Sequence, residues 1–171
     1  VFSQAGRISI PKKYNHLYQY LENKVVEVQA PEGGVFHPKV WVLRYVADDN
    51  PVLYRLLVMT RNLTFDKSWD LMVQLEGDLV ERQVGYSRNN PLGDFIRALP
   101  GMALNPVPQQ AQAAIDLLQD EIRRVNFTTP YPFSEEYHFH PMGIEGYRKG
   151  FLLDRPYHRA LVVSPFLQDH I

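Results

Sequence analysis

Two apolar, β-branched runs constrain this chain more than anything else in it: residues 34–43 and 56–64, interrupted by His37, Lys39 and Asn62. Runs of this kind read as buried strands. The polar turn Asp48-Asp49-Asn50-Pro51 separates them and predicts consecutive strands over residues 38–46 and 52–60. A third strand is expected over residues 70–76, where Asp70, Met72, Gln74 and Glu76 alternate with Leu71, Val73 and Leu75. The three interrupting polar residues fall at strand starts and ends, where packing gives no reason for them. Side chains two apart on a strand share a face, which puts His37 and Lys39 on one side, roughly 7 Å apart. An imidazole beside an ammonium, joined by an amide from the next strand, suits a tetrahedral oxyanion. That is phosphate chemistry.

The remaining pattern alternates strands and helices. A short strand is expected over residues 7–10, and an amphipathic helix over residues 13–24 with Leu17, Tyr18 and Leu21 on one side. Residues 25–29 read as a strand closed by the turn Pro31-Glu32-Gly33-Gly34. Residues 86–108 are loop-rich, with a short helix over 94–99. The clearest helix covers residues 108–127, where Ala111, Ala114, Ile115, Leu118, Ile122 and Val125 form a stripe. Residues 128–132 break it, and strands are expected over 137–140 and 160–166. The fold class is α/β, a mixed β-sheet flanked by helices.

With 171 residues, one domain is the default. Zero cysteines exclude disulfides, thiolate catalysis and Cys-ligated zinc. No charged leader precedes an apolar core at the N-terminus, and no apolar stretch approaches the roughly 20 residues that span a bilayer. The expected location is therefore cytoplasmic, with no membrane partner. Formal net charge is −1, so any nucleic-acid contact must gather its basic groups locally.

The ordered set His37-x-Lys39, Asn62 at the end of the next strand and Gln74 on a third resembles the phospholipase D superfamily. Arg44 stands where the common pattern has an Asp, and Thr60-Arg61 precedes Asn62 where it has Gly-Ser. Both departures are closer to the tyrosyl-DNA phosphodiesterase branch, as are Trp69 after the Asn and Gln74 five residues beyond that Trp. The resemblance implies a metal-independent phosphodiesterase or nuclease acting on DNA or DNA ends, with no cofactor. It makes His37 the nucleophile that forms a phosphohistidine, Lys39 and Asn62 the oxyanion binders, and Gln74 a group that fixes the imidazole tautomer. It also implies a second half-site whose His protonates the leaving group. No second His-x-Lys is present, and Phe139-His140-Pro141-Met142 echoes Phe36-His37-Pro38-Lys39 with Met in place of Lys, so His140 reads as structural. Residues 1–150 are then read as one phospholipase D-like repeat and 151–171 as the start of a second. The missing half would come from the same longer chain or a homodimer partner.

Blander readings stand beside these. His37 and Lys39 also suit a strand-start imidazole and a snorkelling lysine, and Asn62 is also the Asn of an Asn-Leu-Thr sequon. His138 and His140 with Glu136 or Glu145 would make a metal site, but an i, i+2 pair more often serves structure. Phe65 and Trp69 suit either a site mouth or the core. Beyond DNA hydrolysis, two other functions fit: a lipid phosphodiesterase, disfavoured because no amphipathic segment stands out for interface docking, and a non-catalytic module that binds phosphate backbones or a partner.

Overall fold

A computed structural model describes residues 1–8, 13, 15–22, 24–62, 67–133, 136–147, 158–159 and 161. Its strands are β1 (Phe2–Gln4), β2 (Val26–Val28), β3 (Val40–Ala47), β4 (Asn50–Met59), β5 (Met72–Leu79) and β6 (Val125–Thr128). Its α-helices are α1 (Gln19–Glu22), α2 (Asn90–Ala98) and α3 (Gln109–Glu121). The fold is mixed α/β. Parallel and antiparallel pairing both occur, but in separate sheets rather than in the single mixed sheet expected. β1 pairs parallel with β2, and the four-stranded sheet β3-β4-β5-β6 is antiparallel throughout. Among the described residues, no helix is long and apolar enough to cross a membrane.

Register explains which face is buried. Val42, Leu56 and Leu75 sit opposite one another, as do Arg44, Tyr54 and Gly77. Residues paired in this way project to the same side of a sheet. On that side Tyr54, Leu56 and Leu75 join Leu92 and Ile96 of α2, Ile115 of α3 and Ile122 in one core. Full burial of each large apolar side chain contributes about 1.5–3 kcal/mol, so this face dominates the stability. The opposite face carries Trp41, Tyr45, Arg55, Gln74 and Glu76, and remains largely open to solvent.

Several elements depart from expectation, each for a local reason. β3 begins at Val40, so His37 and Lys39 precede the strand, although the Lys39 carbonyl still accepts from Met59 N–H at 2.9 Å. The N-terminal strand is Phe2–Gln4, not 7–10, because Gly6 at φ +67 turns the chain straight after it; residues 9–12 lie outside the described set. Over 13–24 the chain makes a 3₁₀ turn, His16–Tyr18, and then α1, with the Asn15 side chain accepting from Leu17 N–H. Leu17 is largely exposed there, so no amphipathic stripe is buried.

The long helix ends at Glu121, and Val125–Thr128 is a strand. The buried Asn89 amide donates to the Ile122 and Val125 carbonyls at 2.9 and 2.8 Å, taking acceptors that a continuing helix would use. Val125 and Phe127, two apart, then turn inward along the β5 edge. Residues 137–140 form no strand. They dock through side chains: Tyr137 donates to Asn89 Oδ1 at 2.8 Å and packs edge-on against Phe127. The expected strand over 160–166 lies outside the described residues except Leu161, which is exposed.

One ion pair fixes α3 to the sheet. Glu121, almost fully buried, accepts from Arg44 Nε at 2.7 Å and Nη2 at 3.0 Å, and from the Tyr54 hydroxyl at 2.5 Å. Chiefly the Arg44 hydrogen bonds hold its carboxyl below the usual value, outweighing burial, which acts the other way. A carboxylate with a depressed folded pKa stabilises at pH above its unfolded value, and that contribution disappears as pH falls.

Glu121→Ala leaves a half-buried guanidinium unpaired and should cost about 3 kcal/mol, a Tm loss of roughly 6–12 °C for a chain of this size. Urea melts between neutral and acid pH should show wild type losing more stability than Glu121→Gln; parallel curves would remove the carboxylate from this role. A second test concerns Gly77, where an added Cβ would lie 2.4 Å from the Asn126 carbonyl oxygen. That neighbour is backbone and cannot rotate away. Gly77→Ala should therefore detach β6 and lower Tm, with amide exchange rising first over 125–128.

Candidate active site

A cavity of about 650 Å³ opens where the inner face of the sheet meets α2. Val40, Leu56 and Val58 form its sheet wall, and Leu92 and Phe95 its helix wall. Two irregular segments complete it, residues 30–39 on one side and 139–144 on the other. The floor is apolar, and the polar groups gather on the two segments.

The first segment is pinned at several points. The Pro31–Gly33 turn, with Gly33 at φ +73, redirects the chain after β2. Phe36 N–H then donates to Gln4 Oε1 at 2.7 Å, and Lys39 joins the sheet through its carbonyl. Between these points the Lys39 ammonium lies 2.8 Å from His37 Nδ1, 2.9 Å from Nε2 and 3.1 Å from the His37 carbonyl oxygen. An ammonium has only protons to offer, so the ring nitrogen that receives one presents its lone pair. Partial burial lowers the Lys39 pKa below the ordinary lysine value, because the charged form loses water. Imidazole and amine therefore stand together on the cavity wall, each a ligand for an incoming oxyanion.

Asn62 and Gln74 are placed differently. Asn62 is exposed, three residues beyond Met59, whose N–H bonds Lys39. Three residues span at most about 11 Å, so Asn62 belongs to the Lys39 end of the sheet. It is not among the described residues lining the cavity. The turn that carries it is closed by Thr60, whose N–H donates to the Leu71 carbonyl at 3.0 Å and whose hydroxyl bonds the Asp70 carboxylate. Gln74 faces away from the cavity, on the outer side with Trp41 and Leu57, and its amide donates to Glu76 Oε1 at 3.1 Å. Among the described residues, no hydrogen bond joins Gln74 to His37. Trp69 is 98% exposed and belongs neither to the core nor to the cavity wall; Phe65 lies outside the described residues. The structure thus brings together His37 and Lys39, and leaves Asn62 and Gln74 outside their contact.

The second segment carries a residue that the sequence reading set aside. Tyr137 is tied to Asn89 just before α2, and the Tyr147 hydroxyl donates to Asp94 Oδ2 within α2 at 2.7 Å. Burial, and then the neighbouring Asp94, pushes the Tyr147 pKa up to about 12, so this phenol keeps its proton across physiological pH. Asp94 is also gripped by Arg123 at 3.0 Å. Between the two tyrosines, Ile144 is buried and Phe139, His140 and Met142 line the cavity. The signal for His140 was in the chain as the repeated Phe-His-Pro of residues 36–38 and 139–141. His138 and His140 have ring centroids 6.2 Å apart, and no group of three or more His, Asp or Glu among the described residues is arranged to hold a metal ion.

If the imidazole–amine pair takes oxyanions, calorimetry should detect tungstate binding to wild type and a loss of about tenfold to a hundredfold in Lys39→Met, the worth of one charge-assisted hydrogen bond. Affinity should fall as rising pH deprotonates Lys39, beginning below the ordinary lysine range, whereas Lys39→Arg should hold its affinity further into alkali. Equal affinities for wild type and Lys39→Met would remove the ammonium from the site. Comparison of the chain with protein-family models, curated proteins and solved structures finds no match.

Proposed function

We propose that this chain is a metal-independent phosphodiesterase of the phospholipase D type, cleaving DNA or DNA ends through a phosphohistidine on His37. The observation that carries the reading is the Lys39 ammonium held within 3 Å of both His37 ring nitrogens on a cavity wall. In the empty site the ammonium occupies the imidazole lone pair. A phosphodiester entering the cavity offers a better partner, an anionic oxygen, and the ammonium exchanges the ring for it. That exchange frees the lone pair beside an electrophilic phosphorus whose growing charge the ammonium neutralises. Substrate binding and nucleophile activation thereby become one event.

DNA is preferred as substrate because the wall presents a small cationic spot, and no amphipathic segment for a lipid surface stands out in the sequence. On this reading the protein works in the cytoplasm, and the leaving group draws its proton from a second half-site in another segment or a partner copy. The positions of Gln74 and Asn62 outside the His37–Lys39 contact favour one competing reading, a module that binds phosphate backbones without cleaving them.

Incubation with a 3′-blocked, phosphate-labelled oligonucleotide separates the two. Turnover and an acid-labile label on the protein are expected for wild type. His37→Ala should lose turnover by at least about 10³-fold, as removal of a nucleophile does elsewhere, while its melting temperature stays near wild type. Saturable binding with neither label nor turnover would replace the hydrolase with the binding module. Full turnover in His37→Ala would end both roles for this residue.

A further inference from the structure

The two Phe-His-Pro tripeptides, 103 residues apart in sequence, meet at one cavity: Phe36, His37 and Pro38 line it from one segment, Phe139, His140 and Pro141 from the other. The geometry points to His140 as the acid–base partner of His37, a second catalytic residue supplied by this same chain. This assignment rests on the hydrolase reading above and removes its need for a half-site from elsewhere.

Placement carries the argument. The segment holding His140 is tethered at both ends to α2, through Tyr137 to Asn89 and through Tyr147 to Asp94. Ring packing of Tyr137 on Phe139, with centroids 5.3 Å apart, and burial of Ile144 add to the hold. A tether at both ends fixes where the intervening imidazole lies. It lies against the same void as the Lys39–His37 pair, and its own side chain is solvent-accessible, so it exchanges protons freely. Met142 occupies the position that Lys39 holds in the first tripeptide. The two imidazoles are therefore unequal: one has an ammonium against its ring, and the other has the His138 ring as its neighbour. That inequality divides the labour. The ring with the oxyanion-binding amine attacks, and the ring without one handles protons.

The step balances as follows. A His37 ring nitrogen forms a bond to phosphorus while the bond from phosphorus to the leaving oxygen breaks. Protonated His140 delivers its proton to that oxygen, which departs as an alcohol. Neutral His140 then takes a proton from water, whose oxygen attacks phosphorus and breaks the phosphorus–nitrogen bond. His37 returns neutral and His140 returns protonated.

Leaving-group dependence tests the role, because a phenolate such as p-nitrophenolate departs without a proton and a sugar alkoxide does not. Two diesters are compared, methyl p-nitrophenyl phosphate and the dinucleotide TpT. His140→Ala should lose about 10²–10⁴-fold on TpT, the contribution of a positioned general acid. On the nitrophenyl ester it should still release a stoichiometric burst of nitrophenolate, then stall with phosphohistidine accumulating. A purely structural His140 would depress both substrates alike, and a bystander would depress neither; either result overturns the assignment. Wild type inactive on both esters would overturn the hydrolase reading and the assignment with it. Should His140→Ala fail to fold, His140→Gln carries the same comparison.

Discussion

Glu121 holds the architecture together by reaching from the last turn of α3 to two strands at once, Arg44 on β3 and Tyr54 on β4. Ion pairs of this depth set geometry more than they add stability, because desolvation consumes much of the attraction. Here the geometry concerns the whole inner face. With α3 fixed over the sheet, Arg123 two residues later reaches Asp94 in α2, and Asp94 in turn accepts from Tyr147. The path from β3 to the segment carrying His140 is therefore a chain of charge-assisted contacts laid over an apolar core.

Much of the sheet was legible in the sequence. The hairpin around Asp48-Asp49 and the alternation after Asp70 each declare period two over enough residues to settle register, and β3, β4 and β5 lie where that pattern puts them. Val125 misled because it fits both a helical stripe and a strand that includes Phe127. The choice is made by Asn89, whose amide takes the carbonyls across the junction and which periodicity in the 120s cannot reveal. Residues 137–140 look like a strand because extended, aromatic-rich segments share that composition. Their backbone has no ladder to join, and rings do the docking instead.

Site residues divided along similar lines. His37 and Lys39 stood out because a packing argument could not absorb them, and they touch in the fold. Gln74 was carried by resemblance alone, and strand alternation could already place it with Glu76, away from the buried Val73–Leu75 side. His140 was visible as an echo and discounted for want of a lysine. Its place at the cavity depends on Tyr137 and Tyr147, whose partners are some fifty residues away in sequence, a separation no local pattern encodes.

Arg44 has one more consequence. Among the described residues β3 forms an outer margin of the four-stranded sheet, eight residues whose far side has no ladder partner. Such margins are templates for adding foreign strands, and proteins blunt them with bulges and with charges aimed inward. Both devices are present: the pairing slips between Tyr45 and Ala47, and Arg44 sends its guanidinium to the core side. A strand docking there would have to accept a kinked template with a cation committed beneath it. The residue that anchors the third helix thus also guards the sheet against self-association.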